Sequence, residues 1–495
     1  MMISSKPKPK SCGRLSGTIT VFLTLCLMLI IALITAVIAS ARDRSMRMRC
    51  ENAMDLGLLS VFGEYNRELL KEFDLYFIDS SYGCGSGSPW NTGERLKDYI
   101  RYNLNPSKGL YAPGSRDLFG LSVEDVQMGM ESLATDSGGR VFKRQAIRYV
   151  KDKYGVSAIE SIDKSRKDYI QYGIGDCDTV GEREETQSMV ETEAEDVVDD
   201  EGEQVEYENP VEDIENTRSG VLDLLLGSTE ISGRSIDTSE LYSDRYNSSG
   251  CGIVANTEDL DSITSNLMFD FYIGDKFSSY TVDKGRKGLR YEMEYVIHGA
   301  KSDKENLEAV IASLMLMREA ANFLYIFSDQ KLKAKAESAA SVVSLITFAP
   351  WLKDGFTLLI VLAWAFAESC IDMRTLLDGY KVPLMKSPSS WVLDGLTKAL
   401  TYKSHLMEGR KKSSGLDWGG YLQILLGLTG SQDKLKRAMN VVEDDVRHTP
   451  GNDDFRLDNC IEFLEADVRI KSSFGREYEI KRYFGYLDVP ARSFE

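Results

Sequence analysis

Residues 19–38 read ITVFLTLCLMLIIALITAVI, a run without a single charge. A helix rises about 1.5 Å per residue, so this length covers a hydrocarbon core of about 30 Å. The run therefore predicts a transmembrane helix over residues 17–40 and ties any function to a membrane surface. A cleaved secretory signal would have an apolar region of about 7 to 15 residues ending at small residues. Ala39-Ser40-Ala41 offers such a site, but the run is too long for that reading, and a retained, single-pass span is expected.

Charge orients the span weakly. Lys6, Lys8, Lys10 and Arg14 precede it, and Arg42, Arg44, Arg47 and Arg49 follow it. The preceding tail is short, basic and free of acids, whereas a long downstream domain crosses largely regardless of its charge. The expected topology is a basic cytoplasmic tail at 1–16 in a cell membrane, with the bulk of the chain outside.

Beyond the span, a chain of 495 residues that is 43% hydrophobic and 27% charged can bury a sizeable core. The net charge of -18 excludes a nucleic-acid partner, which needs a basic footprint to replace condensed counterions. Much of the excess lies between Asp176 and Glu215, where acids dominate and Arg183 is the only base. Such a segment buries too little apolar surface to offset its chain entropy, so 176–216 is expected to be a disordered acidic loop. It divides the outer domain into an N-terminal part, 41–175, and a C-terminal part, 217–495.

Helical rhythm continues past the span, through Ala53, Leu56, Val61 and Arg67, and no proline interrupts 41–70. One helix from Gly17 to about Glu72 is the simplest reading. FDLYFI at 73–78 reads as a strand or buried turn, followed by helices near 94–102 and from about Val123. The turn Thr135-Asp-Ser-Gly-Gly139 leads into an amphipathic helix at 141–153. A second structured part opens near Pro210, with a helix ending at Leu226-Gly227 and another helical or mixed segment from Thr257 to Phe271. Leu289 to Val296 alternates apolar and charged residues and predicts a half-buried strand with Tyr291, Met293 and Tyr295 inward. Ser302-Asp-Lys-Glu305 reads as a capping box opening a long helix to about Phe327. FTLLIVLAWAFA at 356–367 is apolar all round but short, which suits a buried core helix better than a second crossing. Helices at 418–428 and 432–446 and a strand pair at 455–470 and 477–486 complete an α+β, helix-rich fold with antiparallel strands.

No catalytic, cofactor-binding or metal-binding residue is assigned. Asp176-Cys-Asp178-Thr-Val180-Gly181 approaches a calcium loop, but Val180 and Gln187 stand where ligands are required. The eight cysteines include no C-x-x-C pair; long-range bridges stay open, their pairing unread. His298, His405 and His448 are isolated, and neither a phosphate-cradling G-x-x-x-x-G-K nor a G-x-S-x-G elbow occurs. Glu368 and Asp372, one helical turn apart, could do acid and base work if buried together, but pairing with Arg374 and Lys353 at a helix end is the simpler reading. Arg318, Glu319 and Asn322 read first as buried tie points.

Several segments carry a resemblance: Ser16-Gly-Thr-Ile-Thr-Val-Phe22, Val61-Phe-Gly-Glu-Tyr-Asn-Arg-Glu-Leu-Leu70, Asp74-Leu-Tyr-Phe-Ile-Asp-Ser80, Thr135-Asp136, Tyr291 to Tyr295, Ser302 to Asn306, Trp364 to Asp372 and Gly415 to Leu426. Together they resemble an uncharacterised domain-of-unknown-function family of Gram-positive membrane proteins, similar to the TadE and TadG pseudopilins and associated with Flp/Tad pilus genes. The resemblance implies a non-enzymatic, membrane-tethered component of a Tad-like pilus or other surface assembly, without cofactors, whose partners are the lipid bilayer at 19–38 and pilus or other envelope proteins. Five residues after Gly17 stands Phe22, where pilin-type signals carry a glutamate, which implies an unprocessed anchor. The runner-up is a membrane-anchored envelope enzyme or receptor, for which a deep polar pocket gathering Glu368, Asp372, Arg318 and Asn322 would speak.

Overall fold

The computed structural model describes residues 15–105, 119–194, 212–218, 220–227, 229–250 and 259–487. The basic tail, the expected start of the second part at Pro210, Cys12 and Cys251 lie outside them.

The chain opens with helix α1, Leu15–Phe62. It ends earlier than Glu72, because Asn66 starts a new helix, α2 (Arg67–Phe73), by accepting the Glu68 and Leu69 amides on its side chain. Strand β1 (Ile78–Asp79) and helix α3 (Pro89–Leu104) follow. The helix expected from Val123 is instead strand β2, Leu121–Leu133, whose side chains alternate in burial over much of its length. Helix α4 (Asp136–Lys153) starts in the expected turn, where Ser137, Gly138 and Gly139 all adopt positive φ. Then come α5 (Glu160–Gln171) and α6 (Thr179–Ala194).

Helix α6 corrects the acidic-loop expectation for its first half. Thr186, Val190 and Ala194 recur every four residues and are buried, so this strongly acidic segment still presents one apolar stripe to the core. The C-terminal edge of that segment is also helical, within α7 (Glu212–Arg218). Residues 195–211 lie outside the described set.

Helices α8 (Val221–Leu226) and α9 (Ile263–Lys276) lead to α10, Glu292–His298, where a strand was expected. The strand reading failed because the charged positions are buried as deeply as the apolar ones: Glu292 and Glu294 are 0% exposed. Alternation there reflects internal carboxylates with dedicated partners rather than a solvated face. Helix α11 (Asp303–Ser328) starts at the expected capping box, with both reciprocal bonds formed. Helices α12 (Gln330–Ile346), α13 (Lys353–Leu377), α14 (Leu396–Leu400), α15 (Trp418–Leu428) and α16 (Ser431–Arg447) follow, then strands β3 (Cys460–Ser472) and β4 (Glu477–Gly485).

Two compact units interleave along the chain instead of succeeding one another. The first takes residues 1–64, 89–130 and 464–484. In it β3 lies between β2 and β4, and α1 packs on α3. Gly57 makes that packing possible, since a Cβ there would sit 2.8 Å from Ile100. The buried face of α1 is Met46, Cys50, Ala53, Met54, Leu58 and Val61, while Leu56, placed on that face by the sequence, is half exposed. Asp43 accepts from the Tyr478 hydroxyl at 2.8 Å, and Arg482 reaches Asp55 at 3.2 Å, tying the helix to β4.

The second unit holds residues 65–88, 131–463 and 485–495. Its β1 pairs antiparallel with the start of β3, Ile78 opposite Ile461. Its core is helical: α13 packs against α11, α12 and α6. α13 and α11 are long and apolar enough to cross a membrane, but α13's apolar window is 94% buried and α11's is 67% buried inside the protein. The core-helix reading of 356–367 accordingly holds, within a longer helix than expected.

Candidate membrane span and candidate sites of the second unit

In α1 the apolar window near the N-terminus has no buried residue at all. Ile19, Leu29 and Ile34 are 58%, 70% and 51% exposed. A continuous helix satisfies its own backbone groups, the condition for crossing hydrocarbon. The polar side chains inside the run turn inward on the same helix: the Thr24 hydroxyl donates to the Val21 carbonyl at 2.8 Å and that of Thr35 to Ile31 at 2.9 Å. From Arg42 onward the helix acquires protein partners, beginning with Arg42 over the Phe474 ring. The exposed segment is therefore long and apolar enough to span a membrane, which suggests membrane association through it.

The residues that suggested catalysis do come together, around α11 and α13. Asp372 pairs with Arg318 at 2.9 Å and Lys386 at 2.6 Å, and accepts from Asn322 at 3.1 Å. Glu368 takes Lys386 at 2.6 Å and the Val392 and Leu393 amides at 3.0 and 2.9 Å. Arg318 also donates to the Leu384 carbonyl and the Tyr421 hydroxyl. Burial pushes the Asp372 carboxyl up, but Lys386 and Arg318 outweigh it and hold the group below its usual range. Burial pushes Tyr421 up to about 12.

Arg374 and Lys353 are not the partners. Arg374 bonds the Leu225 carbonyl and Asp378, and Lys353 is exposed. The actual partner, Lys386, stands in a stretch without helical period, and nothing in the sequence links it to Glu368. Glu319 is clamped from two nitrogens of Arg218, at 2.8 and 2.9 Å. Glu368 and Arg318 are 0% exposed and Asp372 is 2% exposed, so the cluster is buried and ties α11 and α13 to the segment around Lys386.

Other polar residues are likewise committed to the fold. Glu294 accepts from the Tyr280 amide and the Trp418 indole, and burial lifts it to about 7. Asp178, in the calcium-like hexapeptide, caps α6 by accepting the Gly181 amide at 2.9 Å. His405 meets Glu408 at 3.1 Å, and His448 lies 2.8 Å from the Asp444 carbonyl. His298 lies 3.3 Å from the Ser313 hydroxyl beside a cavity of 540 Å³ lined also by Leu316, Leu428 and Arg437. Burial, then Arg437, pulls this imidazole below its usual pKa. Cys26, Cys50, Cys84, Cys177, Cys370 and Cys460 are free thiols.

Sequence reading missed an apolar turn between α12 and α13. From Ser338 to Leu352 no residue is charged. Val342, Leu345, Ile346, Phe348 and Trp351 are 56%, 67%, 69%, 46% and 63% exposed. The turn closes α12 as a Schellman motif: the Ala349 amide bonds Ser344 at 2.9 Å and the Phe348 amide bonds Leu345 at 3.3 Å. Phe348 takes the left-handed position, φ 54°, which usually belongs to glycine. A clustered exposed apolar surface of this kind marks an interaction site more often than a free one.

Residues 200–472 match the model of a family of unknown function, DUF5702. No curated protein and no solved structure matches the chain.

Proposed function

The chain belongs to the DUF5702 family, which brings no activity with it, and from its own surfaces we propose that it is a membrane-tethered, non-enzymatic component of a cell-surface assembly. The observation that carries the proposal is the unburied apolar length of α1, followed in the same helix by a stretch that packs on protein. Such a helix anchors at one end and carries a folded unit at the other. The saturated ion pairs around Asp372 and Glu368 favour a structural role over an enzymatic one, since every polar group there already has an internal partner.

The finer reading is a Tad-like pilus accessory in a single-pass topology, basic tail in the cytoplasm and both units outside. It is supported by the resemblance carried by several segments, Ser16 to Phe22 among them, and by the charge argument for the tail. Phe22 in place of a glutamate favours a plain anchor over a processed pilin, because an intramembrane carboxylate is costly without a partner. The apolar turn at Leu345, Ile346, Phe348 and Trp351 is the surface this reading assigns to partner proteins.

The test has two parts. In a variant whose own cysteines are replaced by serine, Tyr246, 99% exposed, is replaced by cysteine and labelled in intact cells with a membrane-impermeant thiol reagent. Labelling supports the outer topology, whereas labelling only after lysis sinks it. A photo-crosslinking residue at Trp351 then has to trap an envelope protein; a chain that stays uncrosslinked in the native membrane removes the apolar turn from the reading.

A further inference from the structure

Among the described residues, the face of α1 opposite its packed side has no partner. At 3.6 residues per turn, the buried side chains from Met46 to Val61 share one side of the helix. Ser45, Met48, Asn52, Leu56 and Leu59 fall on the other, and all five are exposed. Met48, Leu56 and Leu59 leave 59%, 50% and 52% of their surface open. Steps of three and four residues keep these positions on one straight line along a helix. The same line runs back into the apolar run through Ile38, Ile34 and Leu27, which are 60%, 51% and 57% exposed. It carries no charged residue from Leu27 to Leu59.

Lipid does not cover the far part of this line. Leu56 stands about 27 Å along the helix past Ile38, whereas a bilayer with its headgroups is only about 40–45 Å thick in all. A partner that covers the whole line has to be a second helix that leaves the same bilayer in parallel. Another copy of α1 is such a helix, since every copy is anchored by the same run in the same direction.

The polar groups on the line also fit a second copy. The Asn52 side chain has no hydrogen-bond partner among the described residues, although it stands between Met48 and Leu56 in the middle of the exposed stripe. An amide is donor and acceptor at once, so across a twofold axis each Asn52 satisfies its twin. A lone asparagine does the same at the seam of a parallel two-stranded coiled coil. Ser45 asks for nothing, because its hydroxyl donates to the Ala41 carbonyl at 2.9 Å. Beside the line, Glu51 is paired with Arg47 at 3.2 Å and Asp55 with Arg482 at 3.2 Å, while Arg44 and Arg49 are within reach of lipid headgroups. From Leu27 to Leu59 the line extends about 48 Å, and covering one helix face over that length removes on the order of 800 Å² per copy, the size of a standard interface.

We propose that two copies of this chain pair in parallel along this line of α1, Asn52 against Asn52, so that the tethered component is a twofold dimer. The pairing rests on the anchor reading, because a shared bilayer is what holds the two helices parallel, and it names a second copy as the first partner in the assembly.

Two differently tagged full-length copies, expressed together and carrying a photo-crosslinking residue at one position of α1, are irradiated in the native membrane. Met48, Leu56 and Leu59 should each yield an adduct bearing both tags, whereas Arg47, exposed but off the line, should yield none. Asn52→Asp sets two carboxylates against each other and should cut the two-tag adduct from Leu59 about tenfold or more. Membrane flotation of the same sample separates the ways of failing. A chain that floats with the membrane but gives no two-tag adduct, or is trapped only on a different protein, overturns the pairing and leaves the anchor standing. A chain that does not float overturns both. Equal adduct from Arg47, or an adduct unchanged by Asn52→Asp, also overturns the pairing.

Discussion

Replacing Arg318 by methionine should destabilise the second unit by about 3–5 kcal/mol. The figure follows from what the guanidinium does. Arg318 is 0% exposed and donates to Asp372 from Nε and Nη2, to Leu384 and Tyr421 from Nη1, and to Asn322 from Nη2. Methionine fills most of the volume but donates nothing. The Leu384 carbonyl and Asn322 Oδ1 then lose their donor, at about 1–3 kcal/mol each. Asp372 keeps Lys386 and Asn322, so its loss is softened, but two carboxylates now share one buried cation. The assay is urea unfolding of the full chain in micelles, in a Trp90→Phe background. Trp364, Trp391 and Trp418 are buried in the second unit and report on it, and Trp364 and Trp391 both donate to the Leu393 carbonyl beside Glu368. Adding Asp372→Asn removes the surplus charge, so the double variant should recover about 1 kcal/mol or more relative to the sum of the two singles. A cost under about 1 kcal/mol for Arg318→Met, or strict additivity, would show that the network does not hold the helices together.

Further outcomes are expected elsewhere. Glu294 ionises at about 7 when folded against an ordinary 4.5, so its contribution to stability is complete below pH 4.5, declines as the pH rises to about 7, and is flat above that. Glu294→Gln should therefore flatten the stability profile within that window, as measured by thermal unfolding at stepped pH. Met28→Arg combined with Ile31→Arg, each costing about 2.5–3.5 kcal/mol near the middle of the span, should move the chain from the membrane fraction to the alkaline-extractable fraction. Gly139→Ala, at φ 87° with Met439 Cε only 2.4 Å from the new Cβ, should lower the unfolding midpoint, with a cost of about 1–3 kcal/mol. By contrast, Ile346→Ser together with Trp351→Ser should change stability by less than about 0.5 kcal/mol each, because both side chains are mostly exposed; a large loss would mean the turn is packed.

Features that depend only on nearby residues are legible along the chain. The apolar helix over 19–38 is a matter of composition and length. The capping box at Ser302, the helix at Trp418–Leu428 and the strand pair around Ser472 follow from short-range chemistry, and each stands where it was expected. Tertiary structure alone decided the rest. Alternation at 289–296 read as a strand because burial of Glu292 and Glu294 depends on the Ser278 and Tyr280 amides, Arg286 and Trp418. The acidic run at 179–194 became a helix because Thr186, Val190 and Ala194 found a core to face. Glu368 was legible as a candidate, yet its partner Lys386 was not, since an ion pair is set by through-space distance and carries no mark along the chain.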